Sequence, residues 1–385
     1  MFEYFSSDNY SWNQTLLFAL AGGGNITEID TYCRHLKELS KGGPDAAQEA
    51  WLESWQKLAA HVEELALRDE QGGYSLSAGR KYLRASMYYI VAERNAHYRD
   101  PRKLETYRKV LSTFKKGIQL GREPVEFVEV PFRESSLPCL FVQAPDRKRT
   151  PCMIVFDGLD VMKEILYLDI GHAYRNRGIS LLIVDHPGVG EALRLRNMYI
   201  EHDTEVPAGA CVDYLEGRSD VDPKRIGIVA PSLGGYYAPR AAAFEKRLKC
   251  CIAWGGFWAP PEWKFIGHQG ADGATSIPSD HFLYVTGKDT VEEAEKLIRR
   301  LTLEGVADKI TCPLLVVHGE NDQLVSVAMA QKTIEAAVNS PARKLKIFTI
   351  AEGGAEHCQT DNLSMGIDYM ADWVAETLGG NPAGV

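Results

Sequence analysis

The chain has 385 residues, 45% of them apolar and 25% charged, a balance that excludes wholesale disorder and provides for a sizeable core. Its 34 Gly and 18 Pro are ordinary shares, which removes collagen-like and low-complexity readings. A formal net charge of −9 disfavours nucleic acid or an anionic membrane as partner, because phosphate-bearing surfaces select basic footprints.

The start of the chain offers no targeting pattern. The apolar run Leu16–Ala21 is short, and residues 1–33 contain no Lys or Arg, whereas a secretory signal has a positive stretch before its apolar one. The eight cysteines are scattered, without CxxC or zinc-finger spacing, and several lie in strand-like apolar runs where Cys acts as a small hydrophobe. The expectation is a cytoplasmic chain with reduced thiols, no structural metal and no membrane span.

From residue 28 to about 120 the apolar periodicity is helical: Ile29, Tyr32, Cys33, Leu36 and Leu39, then Trp51, Trp55, Leu58, Ala59, Val62 and Leu65. Further helical stretches cover about 77–97 and 101–117, and no Pro interrupts the text between Pro44 and Pro101. This predicts a helical domain over 1–122. It either packs on its own core or serves as a cap over a site built elsewhere.

The text then changes to short β-rich runs. Strands are predicted at Glu126–Phe132, Leu137–Gln143, Cys152–Asp157, Ser180–Asp185, Arg225–Ala230, Cys250–Trp254, Leu314–His318 and Lys344–Ile350. Continuous apolar strands with helical patterns between them imply a mostly parallel, doubly wound α/β sheet over 123–385. The stretch 258–309 exceeds a simple crossover and predicts an insertion.

The sharpest local signal is Ile226-Gly-Ile-Val-Ala-Pro-Ser232-Leu-Gly-Gly235. A buried strand ends, Ser232 follows, and a helical stretch begins at once, the arrangement of a nucleophile elbow. The backbone doubles back there and needs small neighbours; Ala230 and Gly234 supply them, giving A-x-S-x-G. A nucleophilic Ser requires a base, and the base an orienting acid, on loops after later strands. Asp322 lies 90 residues beyond Ser232 and His357 a further 35, each just past a predicted strand. Asp322 is preferred to Glu320 because it sits deeper in its loop, and His357 to the strand-end residue His318. Backbone amides for an oxyanion are expected after the third strand, at Phe156-Asp157-Gly158-Leu159-Asp160, and at Leu233.

Weaker signals accompany these. Pro187-Gly-Val-Gly190-Glu191 resembles part of a dinucleotide fingerprint, but Leu193 stands where the third Gly belongs, so it reads as a turn. Cys358 is a rival nucleophile without an elbow. Trp254, Phe257, Trp258 and Trp263 either line an aromatic-accepting pocket or pack.

The set Gly158-Leu-Asp160 with Lys163-Glu164, then Asp185-His-Pro-Gly-Val-Gly-Glu191, Pro231-Ser-Leu-Gly-Gly-Tyr-Tyr237, His318-Gly-Glu-Asn-Asp322 and Glu356-His357 resembles one branch of the α/β-hydrolases. That branch includes 2,6-dihydroxypseudooxynicotine hydrolase, fungal polyketide-shortening hydrolases of pigment pathways and FrsA-like esterases. The resemblance implies an α/β-hydrolase core with a helical N-terminal cap, a homodimer, no cofactor and a small-molecule substrate. It places the nucleophile on Ser232, the acid on Asp322, the base on His357 and the oxyanion amides on Leu159 and Leu233. It also implies a pocket carboxylate near Glu262; Gly158, Tyr236 and Trp258 are further pocket candidates from the chain itself. The expected reaction is hydrolysis of an acyl bond, C–C or ester, through an acyl-enzyme. An acyltransferase or thioesterase would share that intermediate, and a non-catalytic binding module is the reading from another class.

Overall fold

The computed structural model describes residues 1–43, 47–145, 149–260 and 280–385. They form two compact units. One comprises the described parts of Met1–Val125 and Lys264–Tyr284; the other comprises the described part of Glu126–Trp263 with Val285–Val385.

The first unit is helical: α1 Tyr10–Ala21, α2 Ile26–Cys33, α3 Leu36–Leu39, α4 Gln48–Gln71, α5 Ser75–Arg94 and α6 Pro101–Gly121. Some of these helices start on side-chain caps. Asp100 accepts from the Arg102 amide ahead of α6 with Pro101 in its first turn, while Asn25 accepts from the amides of Thr27 and Glu28 at the head of α2. Their apolar stripes meet in an aromatic core. Trp12 and Trp51 have ring centroids 4.5 Å apart, Trp51 and Trp55 5.4 Å, and Trp55 and Tyr88 5.9 Å. Helix α1 was not legible as periodicity. It is buried at Tyr10, Ser11, Trp12, Asn13, Gln14, Thr15, Leu16 and Ala19, on several sides at once, so it carries no single apolar stripe.

The second unit holds one sheet of eight strands: β1 Val125–Phe132, β2 Ser135–Val142, β3 Thr150–Val155, β4 Ser180–Val184, β5 Val221–Pro231, β6 Cys251–Trp254, β7 Leu314–Gly319 and β8 Arg343–Phe348. Their spatial order is β1-β2-β4-β3-β5-β6-β7-β8. Strand β2 pairs antiparallel with β4, and the pairings from β4 through β3, β5, β6 and β7 to β8 are parallel. This is the doubly wound, mostly parallel sheet expected from the apolar strands. All of β3, β4, β6 and β7 is buried, as a sheet covered on both faces requires, whereas edge strand β8 is half exposed.

The remaining described helices are α7 Lys163–Arg175, α8 Gly190–Arg196, α9 Glu205–Glu216, α10 Gly234–Phe244, α11 His281–Thr286, α12 Val291–Ile298, α13 Val327–Ala336 and α14 Leu363–Leu378. Strands β3 and β5 are neighbours, yet β3 leads on to β4 on one side and β5 to β6 on the other. The loops after β3 and β5 therefore open beside each other at the switch point of the sheet, where α/β folds place ligands. Among the described residues, no helix is long and apolar enough to cross a membrane.

Candidate active site

Ser232 follows directly on β5 and precedes α10 by one residue. Its φ of 60° is left-handed, a conformation a side-chain-bearing residue adopts only under constraint. The constraint is visible: the Ser232 amide donates to the Trp254 carbonyl at 2.7 Å, and the Ser232 carbonyl accepts from the Gly235 amide at 2.7 Å. A Cβ on Gly234 would overlap the Ala230 methyl and stand 3.0 Å from the Asp157 carbonyl oxygen. A methyl at 230 is accommodated because position 234 has none. That accounts for A-x-S-x-G in place of the double-glycine form.

Residues 90 and 35 positions apart in the chain come together here. His357 Nε2 lies 2.8 Å from Ser232 Oγ, and His357 Nδ1 lies 2.7 Å from Asp322 Oδ2. Asp322 Oδ1 accepts from the amides of Leu324 and Val325, both at 2.9 Å. The geometry fits a neutral imidazole that donates from Nδ1 and accepts the serine proton at Nε2.

The electrostatics follow from burial and partners. Burial alone would push the His357 imidazole down, but the facing Asp322 carboxylate, with the neighbouring Cys358 sulfur, outweighs it and holds the group well above the ordinary histidine value. Burial alone would likewise raise Asp322; the His357 charge and hydrogen bond, with the Val325 amide, keep it below the usual carboxylate range. His318 is buried behind the pair, with Nε2 2.8 Å from the Val325 carbonyl and 3.5 Å from Asp322 Oδ2, and burial keeps its imidazole depressed. Glu320 is exposed at the loop surface.

The loop after β3 packs against the serine turn. A Cβ on Gly158 would stand 2.5 Å from the Pro231 carbonyl oxygen, 2.9 Å from Ser232 Cβ and 3.3 Å from the Leu233 amide nitrogen. Only a residue without a side chain allows that approach. The amides of Leu159 and Leu233 have no hydrogen-bond acceptor among the described residues. Two unengaged N–H groups beside a serine hydroxyl can receive a developing oxyanion.

Tyr236, in the first turn of α10, is wholly buried and its hydroxyl donates to the His202 carbonyl at 2.6 Å, so its side chain offers no free surface to a ligand in this conformation. Trp258 is half-buried, with the Lys332 ammonium 4.8 Å above its ring. Glu262 and Trp263 lie outside the described residues. Cys358 is buried, its thiol 3.6 Å from the Trp254 carbonyl. The amides of the Pro187–Glu191 turn are committed to protein acceptors: Gly190 N to the Val161 carbonyl at 3.2 Å and Glu191 N to Asp185 Oδ2 at 2.7 Å. Carboxylates fill the start of α8, which leaves no phosphate cradle there.

Several supports were not foreseen. Trp254 ties both loops together: its carbonyl receives the Ser232 amide, and its indole N–H donates to Gln359 Oε1 at 2.7 Å. Cys358 and Gln359 both have left-handed φ, at 50° and 55°. Asp361 accepts from the amides of Gly354, Ala355 and Glu356 at 2.9, 3.1 and 3.0 Å, which shapes the approach to His357. An acid shortly after a Gly-Gly pair is the one trace of this in the text.

The profile of the family described as Esterase FrsA-like matches residues 46–258. The chain belongs to the FrsA-like esterase family. Consistent with membership, it is 29% identical over 341 residues to 2,6-dihydropseudooxynicotine hydrolase of Paenarthrobacter nicotinovorans, covering 88% of this chain and 87% of that one. It is 32% identical over 251 residues to hydrolase ORFZ of Pyricularia oryzae, covering 61% of this chain and 57% of that one. The crystal structure of the 2,6-dihydroxy-pseudo-oxynicotine hydrolase superposes with a TM-score of 0.77 at 26% identity, over 94% of this chain and 95% of that one. The family and these relatives make the protein a hydrolase of the α/β fold.

Proposed function

We propose that the protein is a serine hydrolase that cleaves an acyl bond, the C–C bond of a ketone or β-diketone-like compound or an ester, in a small aromatic or polyketide-like molecule. The observation that carries the reading is the continuous chain of short contacts from Ser232 Oγ through His357 to Asp322, at 2.8 and 2.7 Å, beside two amides without acceptors among the described residues. His357 takes the Ser232 proton as Oγ attacks the substrate carbonyl. The amides of Leu159 and Leu233 hold the oxygen that becomes negative. His357 then returns the proton to the leaving group: to carbon when a stabilised carbanion departs, to oxygen when an alkoxide does. Water, deprotonated by the same imidazole, attacks the acyl-enzyme, and the acid leaves. Asp322 orients His357 and stabilises its charged form without taking the proton. The names of the relatives, a pseudooxynicotine hydrolase and fungal hydrolases, favour a carbonyl-bearing small molecule over a peptide.

Ser232→Ala tests the reading. Turnover of an aryl ester or of an aryl β-diketone falls by ~10⁶-fold, as for other serine triads, while the fold is kept. A fluorophosphonate probe labels the unsubstituted protein at Ser232 and leaves the variant unlabelled. Retained turnover in the variant would sink the assignment and direct attention to Cys358.

A further inference from the structure

The turn that carries the Leu159 amide is anchored in an unusual way. Asp160, the next residue, has a left-handed φ of 40°. Its two carboxylate oxygens are held by the Arg194 Nη1 and Nη2 atoms of α8 at 2.5 and 2.8 Å. The side chains of this pair are 1% and 0% exposed. The Gly190 amide, which donates to the Val161 carbonyl, also lies 3.4 Å from Asp160 Oδ1. Three residues on, the Lys163 amide and ammonium both reach Asp185, each at 2.8 Å. The turn after β3 is therefore fastened through charged groups to the turn after β4.

Stability alone does not call for such a pair. A buried ion pair seldom outperforms apolar residues of the same shape, because desolvating both charges offsets their attraction. What a guanidinium fork adds is orientation, since two parallel bonds fix angle as well as distance. A left-handed residue also persists only where its surroundings over-determine it. The residue so fixed is covalently joined to Leu159, whose amide has no acceptor among the described residues.

We propose that Asp160 and Arg194 are positioning residues for the oxyanion site: the pair aims the Leu159 amide at the oxygen that becomes negative, and Arg194 neutralises a carboxylate one residue away that would otherwise oppose that charge. This rests on the reading of Ser232 as nucleophile.

The test uses the full chain and a fluorophosphonate, so that no natural substrate is needed. Ser232 Oγ attacks phosphorus, its proton passes to His357, the P–F bond breaks and fluoride leaves, while negative charge grows on the phosphoryl oxygen. Saturation kinetics separate the maximal inactivation rate from the probe's apparent affinity. In Arg194→Lys, and in the doubly substituted Asp160→Asn/Arg194→Met protein, the maximal rate falls ~10²-fold with affinity within about threefold. The double variant removes both charges of the pair together, and its melting temperature is compared with that of the unsubstituted protein. Leu314→Ala, a core truncation at the opposite end of β7, is the control: it lowers the melting temperature and leaves the maximal rate unchanged. A double variant that folds and inactivates at the original rate overturns the positioning role alone. Failure of the probe to label Ser232 in the unsubstituted protein overturns the nucleophile assignment and this proposal with it.

Discussion

Gly158→Ala isolates the contribution of the loop after β3. The φ of Gly158 lies outside the left-handed region, so the backbone accepts alanine and the effect is steric. The new methyl would stand 2.5 Å from the Pro231 carbonyl oxygen and 2.9 Å from Ser232 Cβ. Carbon–oxygen contacts become comfortable near 3.4 Å, so one wall must retreat by roughly 0.9 Å. The Pro231–Ser232 wall is held by the Ser232–Trp254 and Gly235–Ser232 hydrogen bonds, both 2.7 Å, which leaves the Gly158–Leu159 turn to move. Displacing one oxyanion donor by that distance costs about 2.7–4 kcal/mol of transition-state stabilisation, a fall of ~10²–10³-fold in kcat. Ground-state binding is made elsewhere, so KM stays within about threefold, and the overpacking lowers stability by no more than about 1–3 kcal/mol. Steady-state kinetics on a p-nitrophenyl ester, with thermal melts of both proteins, measure the two effects separately. A kcat within about threefold of the unsubstituted enzyme would refute the assignment of the Leu159 amide to the oxyanion.

Gly234→Ala places a second methyl against Ala230 and should destabilise by about 1–3 kcal/mol. Adding Ala230→Gly should recover part of that loss, read as a coupling energy in a denaturation cycle; strict additivity would show that the two positions do not compete for space. Base action needs neutral His357, and Asp322 raises its pKa, so kcat/KM should rise with pH along an acid limb lying above the ordinary histidine value of about 6.5. Asp322→Asn removes the charge that favours the imidazolium; the limb should move to lower pH while kcat drops ~10⁴-fold, and a limb that stays in place would exclude Asp322 as its cause. All eight cysteines are free and buried, so a thiol reagent should titrate almost none in the native protein and all eight after denaturation. Rapid modification of Cys358 in the folded enzyme would contradict the packing at the site.

Much of this was readable from the text because it depends on short-range patterns. Uninterrupted apolar runs such as Leu181–Val184 and Leu314–Val317 suit only strands buried on both faces, and their alternation with helices fixes the class of sheet. The elbow was legible because a strand, a small residue, Ser232, another small residue and a helix follow one another without a gap. Asp322 and His357 were legible through their position after strands, which a parallel sheet brings to one edge.

The tertiary structure alone decided how these parts are held. Nothing in the local text pairs Asp160 with Arg194, joins Trp254 to Gln359, or sets Asp361 beneath the approach to His357; each partner lies on another segment and is selected by distance in space. What Gly158 approaches is likewise invisible locally, since the obstacle is the Pro231 carbonyl of another strand. Helix α1 was hidden because burial on several sides erases the periodicity by which a helix is recognised. The sequence alone thus determined the class of sheet and the candidate chemistry, because residue type and strand order are local or nearly so. The geometry that aims it rests on contacts between distant segments, which only the folded chain brings together.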